Sequence, residues 1–347
     1  MKSILFSIIT LLISYASFSQ IHLKCFQEQE YPENTFTIDK NKSIISAYNE
    51  FFGTWTDQKY TFSYNDIEVI RSYGNLVFAD NSKDIVYTFS WKTDSWAMQK
   101  RSSTYEPIKI ESSYGNFIFV DEAKDKVYAF SQETGNWAGQ ENSTSYNDTY
   151  IHSSYGTFCF VDNNKNRVFA FSPATGKWAT QQRSTTYQDI EVEDSYGNFI
   201  FADNTKDVVY AFSRITGTWA GQERSTTYDD ISYHSSCGNF AFVDNSKDVV
   251  YSYNHSSGTW AQQKVSTNYN PISIIISNGC FAVVDNSSDV VYAIGKKGIW
   301  AAQDLATTYS EIEVNAGNGS FAFKDEMQKI HYVFSFRTGN WTGKSFR

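Results

Sequence analysis

Eight tryptophans recur at a nearly constant interval, and that interval limits the possible folds more than any other feature of the chain. Trp55, Trp96, Trp137, Trp178, Trp219 and Trp260 are spaced by 41 residues, Trp300 follows after 40 and Trp341 after 41 again. The words around them repeat as well. "DKVYAFSQETGNW" ends at Trp137, "DVVYAFSRITGTW" at Trp219 and "DVVYSYNHSSGTW" at Trp260. Self-similarity at such a period marks one supersecondary unit that buries its apolar faces by stacking on its neighbours.

One unit, 225–263, reads as four short strands: "DISYHSS", "GNFAFVD", "DVVYSYN" and "TWAQQ". The turn words "CGN", "DNSKD" and "HSSG" separate them. The second and third strands are almost continuously apolar, as a strand buried on both faces requires. The first and fourth mix polar and apolar residues, as edge strands do. Aromatic residues make up 17% of the chain, which suits pleated surfaces. No stretch after the leader shows a sustained helical period.

Four strands in a unit of this length predict an all-β chain, an eight-bladed β-propeller over 20–347. A β-solenoid would use shorter rungs and no tight hairpins. The one missing residue, in "YAIGKKGIW", falls in a hairpin, where a length change leaves strand register intact. The first unit is degenerate. It matches from Asn34 onward, but "IHLKCFQEQEYPE" lacks the "TTYxDI" words of the other units. Seven blades with an irregular insert is therefore the alternative.

Residues 1–19 read as a secretory signal peptide: Lys2, then an apolar run from Ile4 to Ile13, then "SFSQ", with cleavage expected between Ser19 and Gln20. The run is short for a membrane span. The expected product is an exported, monomeric protein, secreted or periplasmic, with no membrane span. The net charge of -9 comes without a basic stripe, so nucleic acid is not an expected partner. Four cysteines, Cys25, Cys159, Cys237 and Cys280, do not make a disulfide framework in a chain of this length. Cys159 replaces an apolar strand residue and reads as a buried thiol. Cys237 and Cys280 fall near matching places in adjacent units, where a bridge is conceivable within the usual distance limits.

The segment "VFAFSPATGKW", Val168 to Trp178, resembles the kelch repeat, whose third strand and turn carry an aromatic pair and a closing Trp. Two features depart from it. "ADN" or "VDN" stands where kelch repeats carry a double glycine, and Ser172 and Ser213 stand where they carry a turn Asp. The resemblance implies a kelch-like propeller, a fold that serves more often as a binding scaffold than as an enzyme. The "TGxW" ending is similar to the tryptophan-docking words of quinoprotein propellers, but no cofactor constellation accompanies it.

Positions repeated in every unit answer to architecture. The tryptophans read as fillers between blades, because large aromatics dominate core burial. Gly135 and its equivalents two residues before each Trp fit a hairpin position with positive φ, and Asp94 replaces the glycine once. Asp39, Asp80, Asp121, Asp162, Asp203, Asp244, Asp285 and Asp325 close the second strand. An oxygen-rich turn could bind calcium, but an Asp at a turn start ordinarily accepts its own backbone amides. Gln58, Gln99, Gln140, Gln181, Gln222, Gln263 and Gln303 occupy one slot and are expected to link neighbouring blades by hydrogen bonds. The tyrosines of "STTY", such as Tyr64 and Tyr187, are expected to cross from blade to blade.

Function is sought where units disagree. One slot on the first strand, expected to line a central channel, carries Ile70, Glu111, His152, Glu193, His234, Ile275 and Asn315. Glu111, His152, Glu193 and His234 stand on four consecutive blades and are the candidate ligand-binding residues. Acid and imidazole in alternation could hold a cationic ligand or a metal, or exchange protons. A solvated channel wall is the alternative. Glu68, Lys109, Tyr150 and Glu191 vary beside them. Trp91 stands in a hairpin where other units carry Gln132, Pro173 or Arg214, and is the candidate surface stacking residue. No GxSxG, HExxH, CxxC or phosphate loop occurs, so no catalytic residue, metal or cofactor is assigned. The expected function is a non-enzymatic binding or scaffold module for a protein or glycan partner. A lectin-like protein with a weak site per blade, or an enzyme using the channel arc, are the alternatives.

Overall fold

The computed structural model describes residues 34–61, 69–102, 108–143, 150–184, 190–225, 233–266, 272–306 and 312–346. The chain is an eight-bladed β-propeller: eight consecutive antiparallel sheets, each ordered along the chain. Seven sheets have four strands, and the first has three among the described residues. The blades span 35–59, 70–100, 110–141, 151–182, 193–223, 234–264, 274–304 and 314–345, numbered here 1 to 8. A single helical turn, Glu122–Lys124, is the one helix among the described residues. No described helix is long and apolar enough to cross a membrane.

The alternation within the second strand builds the core. In "NFIFVD", Asn116–Asp121, side chains point to opposite faces in turn. Phe117 and Phe119 face back to blade 2, where they pack with Val77 and Val86. Ile118 faces forward and packs with Phe158, Phe160, Phe169 and Phe171 of blade 4. Blade 3 thus has an aromatic face turned to its predecessor and an aliphatic face turned to its successor. The pattern continues with Cys159, Val168 and Ala170 against Phe199, Phe201 and Phe212. Truncating one such Phe to Ala costs about 3–5 kcal/mol.

The tryptophans do fill the space between blades. Trp96, Trp178, Trp260 and Trp341 each donate Nε1 to a carbonyl of the preceding blade, on Thr56, Ala138, Ala220 and Ala301. The hairpin glycine is required twice over. Gly135 has φ +66°, and a Cβ there would sit 2.5 Å from Thr93 Oγ1 of the preceding blade. The aspartates serve as turn residues, as expected. Asp80 Oδ1 accepts the amides of Ser82 and Lys83. Its Oδ2 accepts the amide of Thr61, so the same carboxylate also ties down the start of the connection between blades 1 and 2.

One expectation is corrected here, and one open possibility is closed. The glutamines do not link blades. Each donates Nε2 to the carbonyl of the residue after it, as Gln99 does to Lys100 and Gln181 to Gln182. The fourth strand is a sheet edge, and the amide satisfies a carbonyl that has no further strand to meet. Cys237 and Cys280 do not bridge. Cys280 is a buried free thiol, as is Cys159. Cys237 is disulfide-bonded, and its partner lies outside the described residues. The leader, Cys25, Glu68 and the "STTY" tyrosines also lie outside them.

Candidate functional site

The four candidate residues of the first strand occupy one register. Glu111 lies opposite Ile118, His152 opposite Cys159, Glu193 opposite Ile200 and His234 opposite Ala241. Directly opposed residues share a face of the sheet, so all four lie on the forward face of their blade. Among the described residues none is hydrogen-bonded or ion-paired to another of the four. Glu111 instead pairs with Lys109 at 3.0 Å. His152 meets the edge of Tyr150 with ring centroids 4.5 Å apart. Partial burial pulls the His152 imidazole below its ordinary range, and the nearby Asp194 opposes this only in part. Burial likewise lowers His234. Burial, helped by Glu191, raises Glu193. The described residues contain no group of three His, Cys, Asp or Glu placed to hold a metal ion.

Trp91 is not an exposed stacking residue. It is 6% exposed and packs with Ala47, Leu76 and Phe89. The hairpin of blade 1 covers it: Asn49 Nδ2 donates to the Trp91 carbonyl at 2.7 Å.

The structure assembles a different row. The turn between the first and second strands has two residues, both with positive φ. In blades 2 to 5 the first of these is Tyr73, Tyr114, Tyr155 or Tyr196, at φ 46°, 44°, 44° and 48°. The second is a glycine, Gly74 to Gly197, at φ 76° to 81°. This is the hairpin turn that Asn-Gly makes most readily. A bulky residue there is strained. The four rings stack across consecutive blades, with centroids 4.7, 4.6 and 4.6 Å apart. Burial and the neighbouring Tyr155 raise the Tyr196 phenol above its usual range.

Asparagines join this row to the hairpin between the third and fourth strands. Asn116 Oδ1 accepts the amide of Gln132, Asn198 Oδ1 that of Arg214 and Asn239 Oδ1 that of His255. Arg214 Nη1 in turn reaches the Tyr155 carbonyl at 3.3 Å. Beyond it, His255 is held down at about 4 by burial and by the charges of Arg214 and Lys296. The stacked tyrosines and these variable side chains form one rim. The word "SYGN" announces a turn, but only the blade spacing reveals that its tyrosines stack.

No family model matches the chain, and no curated protein matches it. Solved structures do. Virginiamycin B lyase from Staphylococcus aureus is 12% identical over 74% of this chain and 89% of that one, with a TM-score of 0.25. Streptogramin B lyase is 15% identical over 76% and 92%, also at 0.25. Kluyveromyces lactis Hsv2 is 12% identical over 78% and 98%, at 0.26. At such scores no property of these proteins is carried to this chain, and its class rests on its own sheet order: a β-propeller.

Proposed function

We propose that the chain is an exported, monomeric, non-catalytic binding module that takes a protein or glycan partner along the rim of blades 2 to 5. One observation carries this reading. Four consecutive blades place tyrosine in a left-handed turn position. The turn itself does not require it, because Cys237, Asn278 and Asn318 make the same turn in blades 6 to 8. A strained residue kept where an unstrained one would serve points to recognition. The stack also presents phenol edges and hydroxyls, groups that suit an interface. Export rests on the leader-like 1–19. The kelch-like words of the third strand and closing Trp agree with a binding scaffold.

The test is a Tyr114→Asn/Tyr155→Asn double variant, which keeps a residue suited to positive φ. Binding is read on a glycan array and on an array of extracellular proteins, with stoichiometry counted. Binding lost in this variant but kept in His152→Ala/His234→Ala supports the rim. The reverse pattern moves the site to the first-strand arc and overturns the rim assignment.

A further inference from the structure

Elimination leaves one partner for Cys237. The chain has four cysteines, and Cys159 and Cys280 are free thiols. Cys237 is disulfide-bonded. The fourth cysteine is Cys25, nine residues before Asn34.

Cys237 and Asn34 stand on one rim. Asn239 of blade 6 donates Nδ2 to the Gly279 carbonyl in the turn of blade 7, and its Oδ1 accepts the His255 amide. Asn34 repeats both bonds in blade 1, with Nδ2 to the Gly74 carbonyl in the turn of blade 2 and Oδ1 from the Glu50 amide. The chain thus enters blade 1 at the rim that carries the turns between first and second strands. Cys237 lies in that turn of blade 6, at φ 45°. Nine extended residues reach about 30 Å. The turns are close together, with ring centroids 4.6 Å apart between Tyr114 and Tyr155. The shorter way round, from blade 6 past blades 7 and 8 to blade 1, is within that reach.

This arc of the rim differs from the other. Blades 2 to 5 carry tyrosine in the turn, whereas blades 6 to 8 carry the smaller Cys237, Asn278 and Asn318. The smaller side chains leave room for a length of chain where tyrosine rings would stand. The charges are complementary as well. The segment 26–33, "FQEQEYPE", holds Glu28, Glu30 and Glu33 and no Lys or Arg. On the rim, Arg214 and His255 lie 2.9 and 3.4 Å from the Cβ positions of Gly197 and Gly238, in the turns of blades 5 and 6. Lys296 follows in the same slot of blade 7 and is exposed. Blade 8 also needs a link to blade 1, because no sheet combines described strands from both ends of the chain.

We propose that a Cys25–Cys237 disulfide straps the ring shut, carrying 26–33 along the rim of blades 7 and 8 and tying blade 1 to blade 6. When it forms, each thiol gives up one proton and one electron. A disulfide-bearing oxidant takes them up and becomes a dithiol. The loop that the bond closes contains blades 1 to 5, and long loops gain most from a cross-link. The strap leaves the tyrosines of blades 2 to 5 open and does not depend on their role in binding.

Tryptic digestion of the full chain without reductant should give one cross-linked product, joining the Cys25 peptide to the Cys237 peptide, and electrophoresis without reductant should show a monomer. Cys25→Ser, Cys237→Ser and the double variant should lower the melting temperature equally, by about 5 °C. Dithiothreitol should lower the parent by the same amount and leave the variants unchanged. Asn278→Tyr/Asn318→Tyr, which extends the tyrosine row into the path of the strap, should make the bond at least tenfold easier to reduce in a glutathione buffer. Cys25 recovered as a free thiol, or joined to a second copy of the chain, overturns the pairing. A Cys25→Ser variant that melts as the parent does overturns the closure, and an unchanged redox equilibrium in the tyrosine variant overturns the path.

Discussion

The indole Nε1 of Trp178 donates to the carbonyl of Ala138 across 3.0 Å, from one blade to the one before it. The equivalent nitrogens of Trp137, Trp219 and Trp300 are buried without a partner. Replacement by Phe separates the two situations. Trp178→Phe loses a hydrogen bond and leaves the Ala138 carbonyl without that donor, and should cost about 1–2 kcal/mol beyond the change in ring size. Trp137→Phe removes an unsatisfied donor and should cost less by about that amount. Urea unfolding midpoints of the two variants give the difference.

The Asp162 side chain is fully buried within its turn. Its Oδ1 accepts the Lys165 amide and its Oδ2 the Ser143 amide. Asp162→Ala strands both donors and should destabilise the protein by about 2–4 kcal/mol. Because these oxygens are taken by backbone amides, calcium or EDTA should leave the melting temperature of the parent unchanged. A calcium-dependent rise would show that the turn is a metal site.

His255 supplies a pH signature. It sits between Arg214 and Lys296, with Nδ1 at 2.7 Å from Asn239 Oδ1, and its folded value is about 4 against an ordinary 6.5. The unfolded chain therefore binds the proton more readily than the folded one. The stability that His255 contributes is fully present above about pH 6.5 and declines as pH falls toward 4, by roughly 3 kcal/mol at most. Unfolding free energies between pH 4 and 7 should flatten in His255→Gln relative to the parent.

Thiol chemistry distinguishes the cysteines. Burial pushes the Cys280 thiol up to about 12 and raises Cys159 further still. Neither should react with iodoacetamide in the native protein, since the thiolate is the nucleophile. In denaturant without reductant both should be labelled, while Cys237 should be labelled only after reduction. Peptide mass spectrometry reads all three positions.

The architecture was legible because it is local and repeated. Alternating Phe and aliphatic residues in words such as "NFIFVD" assign a face to each side chain within its own strand. The Asp at the end of that strand and the Gly two residues before all but one of the repeat tryptophans are dictated by turn geometry, which needs no distant partner. The candidate site was less legible. Glu111, His152, Glu193 and His234 do share a register, but register alone does not bring charged groups into contact. The glutamines do not reach the neighbouring blade, because an edge carbonyl competes for the amide at shorter range.

The sequence by itself determined the blade: its four strands, its tight turns and its two chemically different faces. Only the tertiary structure decided which aromatic residues meet water. Trp91 stands in a hairpin yet is buried, because the hairpin of blade 1 lies over it. Trp55 closes the first repeat as its counterparts close theirs, yet it is 52% exposed, because no described strand packs on that face. The tyrosines of "SYGN" become a stack only when successive blades bring their turns within ring-stacking distance. Exposure and stacking belong to pairs of blades rather than to any one of them, and a linear repeat does not record which faces are left without a neighbour.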